Sequence, residues 1–272
     1  MTWILLALLV GIIVLINFLL LAISKVNLPT GSQAPSVGEI QNLLGLPVAL
    51  PFAMSILSSF GSVLAVILMA SSMGSEYNWR TIRTAVISSE SRFKLLGAKL
   101  ISAVILILIG MVVGLAAGFL VSIVTTVIGG YKFDFSFATG SYLWDQFLQF
   151  WRTLYTLIPS MLLGFMFSII GRSAMPGIAM GIGVIFLEGI VTTFMTLAGG
   201  WIASIPDYLL AANVRAITSL TNLPRGFQAG MGVGGGSGQL PSVPHATITL
   251  ALYSVVFLIV AFYLFRKRDV TG

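Results

Sequence analysis

Few side chains in this 272-residue sequence could do covalent chemistry, because it has no cysteine, one histidine and eight acidic residues. Without cysteine there is no disulfide, thiolate nucleophile or cysteine-ligated metal, and His245 alone makes no histidine pair. The patterns GxxxxGK[ST], HExxH and GxSxG are absent. We therefore expect no enzyme activity, and no metal or cofactor bound by this chain.

The segment 74–99 has the residue types of a docking element. Ser75 is a plausible N-cap, and Glu76 would lie in the first turn, where the helix dipole favours an anion. Glu76, Trp79, Arg80 and Arg83 would then share one face of a short helix. Tryptophan and arginine are the residue types that dominate interface hot spots. The alternative is a basic loop that an interfacial tryptophan anchors at the membrane.

Glu188 lies near the middle of a long apolar run. A charge at the centre of a bilayer costs at least about 2.5–3.5 kcal/mol on insertion scales, so this side chain should face a cavity, a partner or a proton. Two interpretations remain open. One is a residue of a translocation path that contacts substrate or a cation at a subunit seam, and the other is a protonated or hydrogen-bonded structural acid.

The elements that position these residues follow from the composition, which is 57% hydrophobic and only 8% charged. Soluble domains have about 25% charged residues, so this is a membrane protein. Six segments have the length of about 20 apolar residues that a spanning helix needs. They are 3–24, 50–73, 100–128, 150–170, 176–197 and 247–265. We predict an all-α fold of six transmembrane helices in a single domain, 1–272, with the first segment retained as a span.

The glycines of two predicted spans recur at every fourth position. Gly110, Gly114 and Gly118 form a double GxxxG pattern in span three, and Gly177 and Gly181 repeat the pattern in span five. Small residues at this spacing let helix backbones approach closely. We expect these residues to pack helices within the subunit, with dimerisation as the alternative.

The distribution of basic residues predicts the orientation. If both termini are cytoplasmic, nine of the 14 Lys and Arg residues lie inside, and five of those nine crowd the segment 74–99. This excess fits the positive-inside rule. The net charge of +6 is then explained by the excess of Lys and Arg in the cytoplasmic segments, and we expect no nucleic-acid partner.

The predicted outer loop, 199–246, is the longest connection. Pro206-Asp207 reads as a helix start, and the apolar residues that follow fall near one face, which predicts an amphipathic helix on or in the outer leaflet. Gly230-Met-Gly232-Val-Gly-Gly235 matches GxGxxG, but it follows no strand, so we interpret it as a flexible external loop.

The segment 74–99 resembles the coupling region of ABC transporter permeases of the type-2 class. Members of that family often carry Glu-Tyr-x-Trp-x-Thr-x-Arg-Thr, followed by an Arg and a Lys. The matching residues here are Glu76, Tyr77, Trp79, Thr81, Arg83, Thr84, Arg92 and Lys99. The tail 265–270 is similar to the Phe-x-x-Arg-Asp ending of the family. Arg80 stands where the family usually has a small residue, and the usual basic amphipathic helix before span one is not seen.

The resemblance implies a permease subunit in the cytoplasmic membrane of a prokaryote, working with two separate ATP-binding subunits that hold ATP and Mg. A second copy or a paralogue would complete the translocation path among the membrane lipids. The apolar spans suit export of an amphiphile such as a lipid, peptide or antibiotic. The alternative is a membrane scaffold or signalling subunit that a partner ATPase remodels without transport.

Overall fold

The computed structural model describes residues 2–25, 37–78, 92–130, 135–221, 223 and 240–267. Within these ranges the chain contains helices and no β-strand. In chain order the elements are α1 (Thr2–Ser24), α2 (Val37–Leu44), α3 (Leu46–Asn78), α4 (Arg92–Gly129), α5 (Gly140–Gly171), α6 (Ala174–Ala198), a 3₁₀ helix (Gly200–Tyr208), α7 (Leu210–Thr218) and α8 (Val243–Lys267).

Six of the described helices are long and apolar enough to cross a membrane, namely α1, α3, α4, α5, α6 and α8. The predicted all-α fold with six spans is confirmed. Several helices are longer than the apolar runs that predicted them. The 38 residues of α4 extend over about 57 Å, nearly twice the hydrocarbon core of about 30 Å.

The centre of the molecule is α3, which packs against α1, α4, α5 and α6. Its buried side chains include Phe52, Ile56, Val66 and Met69. α3 and α5 are the most buried of the spanning helices, whereas α1, α4, α6 and α8 leave most of their apolar surface outside. That outer surface is what a surrounding bilayer would cover.

The ends of the helices define two ends of the bundle. Glu76, in the last turn of α3, pairs with Lys99 of α4, and Phe93 of α4 stacks on Phe262 of α8 with ring centroids 5.7 Å apart. We call this the basic end. At the other end, which we call the opposite end, the Tyr142 hydroxyl of α5 donates to the carbonyl of Pro47 at 2.9 Å.

The glycine pattern of α4 lies partly in helix contacts within the chain. A Cβ added at Gly114 would lie 2.8 Å from the Leu57 side chain, and one at Gly118 would lie 2.6 Å from Ala53 Cβ, so α4 lies against α3 at both positions. Gly110 differs, since a Cβ there would meet nothing within 4 Å. Gly110 therefore makes no helix contact within the described part of the chain, because the neighbouring helices separate at its level. The dimerisation alternative for this glycine stays a prediction.

The glycines of α6 lie in contacts with α3 and α5. A Cβ at Gly177 would lie 2.8 Å from Ala70 Cβ and equally close to Ser168 Cβ, and one at Gly181 would lie 2.5 Å from Val66 Cγ1. The close approach of α6 to the central helix therefore depends on the absence of side chains at these two positions.

The connection between α6 and α8 differs from the predicted surface helix. Gly199 and Gly200 have φ of 69° and 63°, which glycine adopts without strain, and the chain turns back there. The 3₁₀ helix then packs against α6, and α7 packs against α8. The α-helix begins at Leu210 rather than at Pro206, so the buried face contains Leu210, Asn213 and Ile217.

Candidate functional site

The predicted docking segment, 74–99, was expected to begin with a new helix capped by Ser75, but the structure shows no helix start there. Ser75 and Glu76 do not start a new helix but lie in the last turn of α3, with the Ser75 hydroxyl donating to the Ser72 carbonyl at 3.2 Å. The helix continues through Gly74 to Asn78. Tyr77 is also in this last turn, partly buried against the core.

The other residues of the predicted coupling segment lie largely outside the described residues. Trp79, Arg80 and Arg83 fall in the segment 79–91, which is not among the described residues, and Arg92 is the first residue of α4. What the structure does place is the base of this segment. The carboxylate of Glu76 lies 2.5 Å from Lys99 Nζ, and Lys99 also donates to the carbonyl of Ser72 at 3.4 Å. The ion pair therefore ties α3 to α4 beside the segment that joins them.

The same end of α3 also touches α6. A Cβ added at Gly74 would lie 2.1 Å from the backbone nitrogen of Ala174, the first residue of α6. Three spanning helices thus meet within two turns of Glu76. A partner that moves the segment 79–91 would act on helices that are already in contact.

The second candidate site is centred on Glu188 of α6. Its two carboxylate oxygens accept hydrogen bonds from backbone N–H groups at the start of α7, from Leu210 at 3.2 Å and from Ala211 at 2.7 Å. The first N–H groups of a helix have no intrahelical partner. An anion stabilises them and the positive end of the helix dipole. The acid of α6 is therefore the cap of α7.

The carbonyl groups of the bend before α7 are hydrogen-bonded as well. Asn213 Nδ2 donates to the carbonyls of Asp207 at 2.9 Å and Leu209 at 2.7 Å, and the Tyr253 hydroxyl donates to that of Tyr208 at 3.0 Å. His245 Nε2 lies 3.1 Å from the Asp207 carbonyl oxygen. Non-helical backbone at membrane depth is tolerated only where its polar groups are satisfied in this way. We call residues 207–211 the capped bend.

A small cavity of about 40 Å³, lined by both polar and apolar side chains, lies beside the capped bend. Its lining includes Ser58 and Ser62 of α3, Ser160 of α5, Glu188 of α6 and Arg215 of α7. Burial lowers the pKa of Arg215 from its ordinary value. The cavity is large enough for a water molecule and offers it several hydroxyl partners. Glu188 therefore contacts a helix terminus and also lines a cavity that contains hydroxyl groups.

Of the two interpretations of Glu188, this geometry matches the hydrogen-bonded acid. Both carboxylate oxygens accept hydrogen bonds from backbone N–H donors, an arrangement that suits an anion. Among the described residues there is no group of three or more His, Cys, Asp or Glu that could hold a metal.

Sequence reasoning missed the partners of the capped bend. Asn213, Tyr253 and His245 are far apart in the chain and have no common motif. The sequence offered one signal for this contact. An acid within a predicted span, Glu188, is followed by a segment that contains Pro206 and is too short to cross the membrane. The GxGxxG pattern at 230–235 lies outside the described residues.

The profile of a family described as "Protein of unknown function (DUF2705)" matches residues 13–271. The chain belongs to this family. The match begins within α1 and continues past the end of α8. It therefore includes both ends of the segment 79–91, the capped bend and five complete spanning helices.

One curated relative is similar to this chain over most of its length. It is "Uncharacterized protein YhcI" of Bacillus subtilis (strain 168), which is 23% identical over 215 residues. The aligned part is 76% of this chain and 64% of the relative, so the chain spans less than two thirds of that protein. No solved structure matches the chain.

Proposed function

We propose that this chain is the membrane-spanning permease subunit of an ATP-driven transporter of the ABC type-2 class. It would work with two separate ATP-binding subunits, and with a second copy or a paralogue, in the cytoplasmic membrane of a prokaryote. The proposed task is export of an amphiphilic or hydrophobic substrate. ATP and Mg would be held by the ATP-binding subunits.

The observation that carries the proposal is the Glu76–Lys99 ion pair. These are the first and last residues of the sequence run that resembles the coupling region, and they are 23 positions apart in the chain but 2.5 Å apart in space. The segment between them is consequently held at a base formed by α3 and α4. It contains Trp79, Arg80 and Arg83, which suit a groove on a protein partner.

The packing around this base gives a route for coupling. α3 contacts four of the other five spanning helices, and its basic end lies directly against the start of α6 at Gly74. A partner shifts an equilibrium between two forms only if it binds them with different affinity. Closure of the ATP-binding subunits would therefore favour one arrangement of α3, α4 and α6 through the contact at the segment 79–91.

The first test is co-purification with an ATP-binding subunit that carries GxxxxGK[ST] and is encoded next to this gene. The Glu76→Ala/Arg83→Ala double variant should insert normally but bind that subunit at least about tenfold more weakly. It removes a hot-spot arginine, which contributes more than about 1 kcal/mol, and also the ion pair that holds the segment at its base. The control is Arg172→Asn, which removes one positive charge from the α5–α6 connection. Arg172 has φ of 50°, and asparagine tolerates that left-handed conformation. Equal binding by the wild type and the double variant would refute the docking assignment.

The second test separates transport from remodelling. The complex is placed in liposomes, and its ATPase rate is measured with and without a fluorescent phospholipid and an amphipathic peptide. Stimulation by either amphiphile, together with its movement across the bilayer, supports export. A complex that hydrolyses ATP without moving either amphiphile supports the scaffold or signalling function instead.

A further inference from the structure

The cavity beside the capped bend has buried hydroxyl groups that lack a partner in the described part of the chain. Ser58 of α3 and Ser160 of α5 line it and are 6% and 2% exposed. Neither side chain makes a hydrogen bond to another described residue. Ser62, which also lines the cavity, donates to the Ser59 carbonyl at 2.8 Å and can still accept. We call this space the serine cavity.

The serine cavity has the size and the polar groups that bound water requires. Buried hydroxyl groups in proteins are paired or hydrated, because an unmade hydrogen bond is costly. A water molecule needs about 10–15 Å³ of space and two to four polar partners. The volume of about 40 Å³ therefore holds about three water molecules. Ser58, Ser160 and Glu188 supply partners for them.

The serine cavity extends along the whole of α7. Five residues on one face of this helix line it, namely Leu210, Ala211, Val214, Arg215 and Thr218. Leu210 and Thr218 are the first and last residues of α7, which are about 12 Å apart at the helical rise of 1.5 Å per residue. Just beyond, Thr221 accepts a hydrogen bond from Gln149, in the half of α5 that begins at the opposite end. The cavity thus leads from Glu188 toward the opposite end.

The carboxylate of Glu188 can receive a proton from water in this cavity. Oε1 accepts from the Leu210 N–H at 3.2 Å, a longer bond than the 2.7 Å from the Ala211 N–H to Oε2. A carboxylate oxygen has about two lone-pair sites, so Oε1 retains one for water. Burial favours the neutral acid, whereas N–H donors and the positive end of a helix favour the anion. Because these effects oppose each other, both states are accessible.

We propose that the serine cavity is a water-filled proton site in which Glu188 is the group that binds the proton. A hydronium ion in the cavity gives its proton to Oε1 and leaves a water molecule behind. The Leu210 N–H then loses its acceptor and the start of α7 loses its anion, so acid loosens the capped bend. The proposal involves no ATP-binding subunit and is tested separately from the transport function.

The other charged and titratable side chains around Glu188 come from three elements of the described chain. They are Asp207 and Tyr208 of the 3₁₀ helix, Arg215 of α7, and His245 and Tyr253 of α8. The lining from α3 and α5 consists of serines. Histidine ordinarily changes charge between pH 5 and 8. His245 is therefore the competing candidate for any effect of acid on the capped bend.

The first test measures whether water reaches the buried serines. Because the chain has no cysteine, Ser160→Cys places a single thiol in the cavity, where the small reagent Ag⁺ can follow water. In lipid nanodiscs, Ag⁺ should block later maleimide labelling at least about tenfold faster in Ser160→Cys than in Ser168→Cys, since the reaction requires access. Ser168 is the matched control, because it is fully buried on the same helix and donates to the Phe165 carbonyl at 2.7 Å. Equal rates would overturn the hydrated site.

The second test measures whether protonation of Glu188 loosens the capped bend. Hydrogen–deuterium exchange is followed in peptides that contain 210–211 and is corrected for the intrinsic effect of pH. Protection in the wild type should fall at least about fivefold between pH 8 and pH 5. Glu188→Gln has no charge to lose, so its protection should be the same at the two pH values. Equal protection of the wild type at both values would refute the proton site.

Two further variants separate the proposal from its competitors. His245→Gln keeps an N–H donor for the Asp207 carbonyl but cannot take up a proton, and it should retain the fall in protection. Loss of the fall in this variant would assign the effect to His245 and overturn the role of Glu188. If Ser160→Cys does not fold, Ser58→Cys gives the second thiol. A rate of reaction with Ag⁺ no faster than that of Ser168→Cys would also contradict the proposal.

Discussion

Glu188 Oε2 lies 2.7 Å from the backbone nitrogen of Ala211, so an acid of one spanning helix caps the N-terminus of a short helix that follows it in the chain. The two residues belong to α6 and α7, and the chain reverses between them at Gly199 and Gly200. The carboxylate of Glu188 is therefore stabilised by backbone N–H groups and needs no basic side chain as its partner. It also fixes where the 3₁₀ helix ends and α7 begins.

Replacement of Glu188 should loosen the capped bend. Glu188→Ala leaves the N–H groups of Leu210 and Ala211 without acceptors, and we expect a loss of about 2 kcal/mol or more in the free energy of unfolding. Glu188→Gln retains one oxygen acceptor and should have a smaller effect. Hydrogen–deuterium exchange at these two amides measures the change directly, with Asp145→Ala, an exposed acid of α5, as the control. Unchanged exchange in Glu188→Ala would contradict the capping role.

The tyrosine of α8 should stabilise the same bend from the other side. Tyr253→Phe removes the hydrogen bond to the Tyr208 carbonyl, and we expect a loss of about 1 kcal/mol in the free energy of unfolding. The matched control is Tyr263→Phe on the same helix, where the exposed ring lies beneath Lys267. A thermal unfolding midpoint that falls equally in the two variants would argue against a specific role for Tyr253.

Gly74 should tolerate no side chain. A methyl group there would overlap the backbone of Ala174, so Gly74→Ala requires α3 and α6 to separate at the basic end. We expect a loss of about 1–3 kcal/mol from overpacking. Gly97→Ala is the control, because a Cβ there meets nothing within 4 Å and alanine favours the helix by about 1 kcal/mol. The two variants should therefore shift the thermal midpoint in opposite directions.

The Glu76–Lys99 pair can be tested by exchange of the charges. Glu76→Lys and Lys99→Glu each place like charges together and should each lower the thermal midpoint. The double variant restores opposite charges and should recover most of the loss. Partly buried pairs of this kind couple more strongly than exposed ones, which contribute about 0.2–1 kcal/mol. Additive effects of the two substitutions would show that the pair contributes nothing to the basic end.

The six spans were predictable because their signal is local. A run of about 20 apolar residues with almost no charge has no stable alternative to a helix in a bilayer. The ends of the helices were less predictable. α5 begins at Gly140 rather than near residue 150, since its first turns contain Asp145 and Gln146 and do not read as apolar. α3 likewise continues through Glu76, where the charge pattern predicted a new helix.

The sequence by itself determined that six segments are long and apolar enough to cross a membrane, that most basic residues lie on one predicted side and that one acid lies within the predicted spans. Each of these properties depends on residue type and short-range order alone. Only the tertiary structure decided what that acid contacts, which glycines lie in helix contacts and where α1 and α4 separate. Those outcomes depend on how helices cross. The packing of α7 beside α6 brings the Ala211 amide to Glu188. The angle between α1 and α4 leaves Gly110 outside the helix contact that contains Gly114, although no local sequence pattern distinguishes these two glycines.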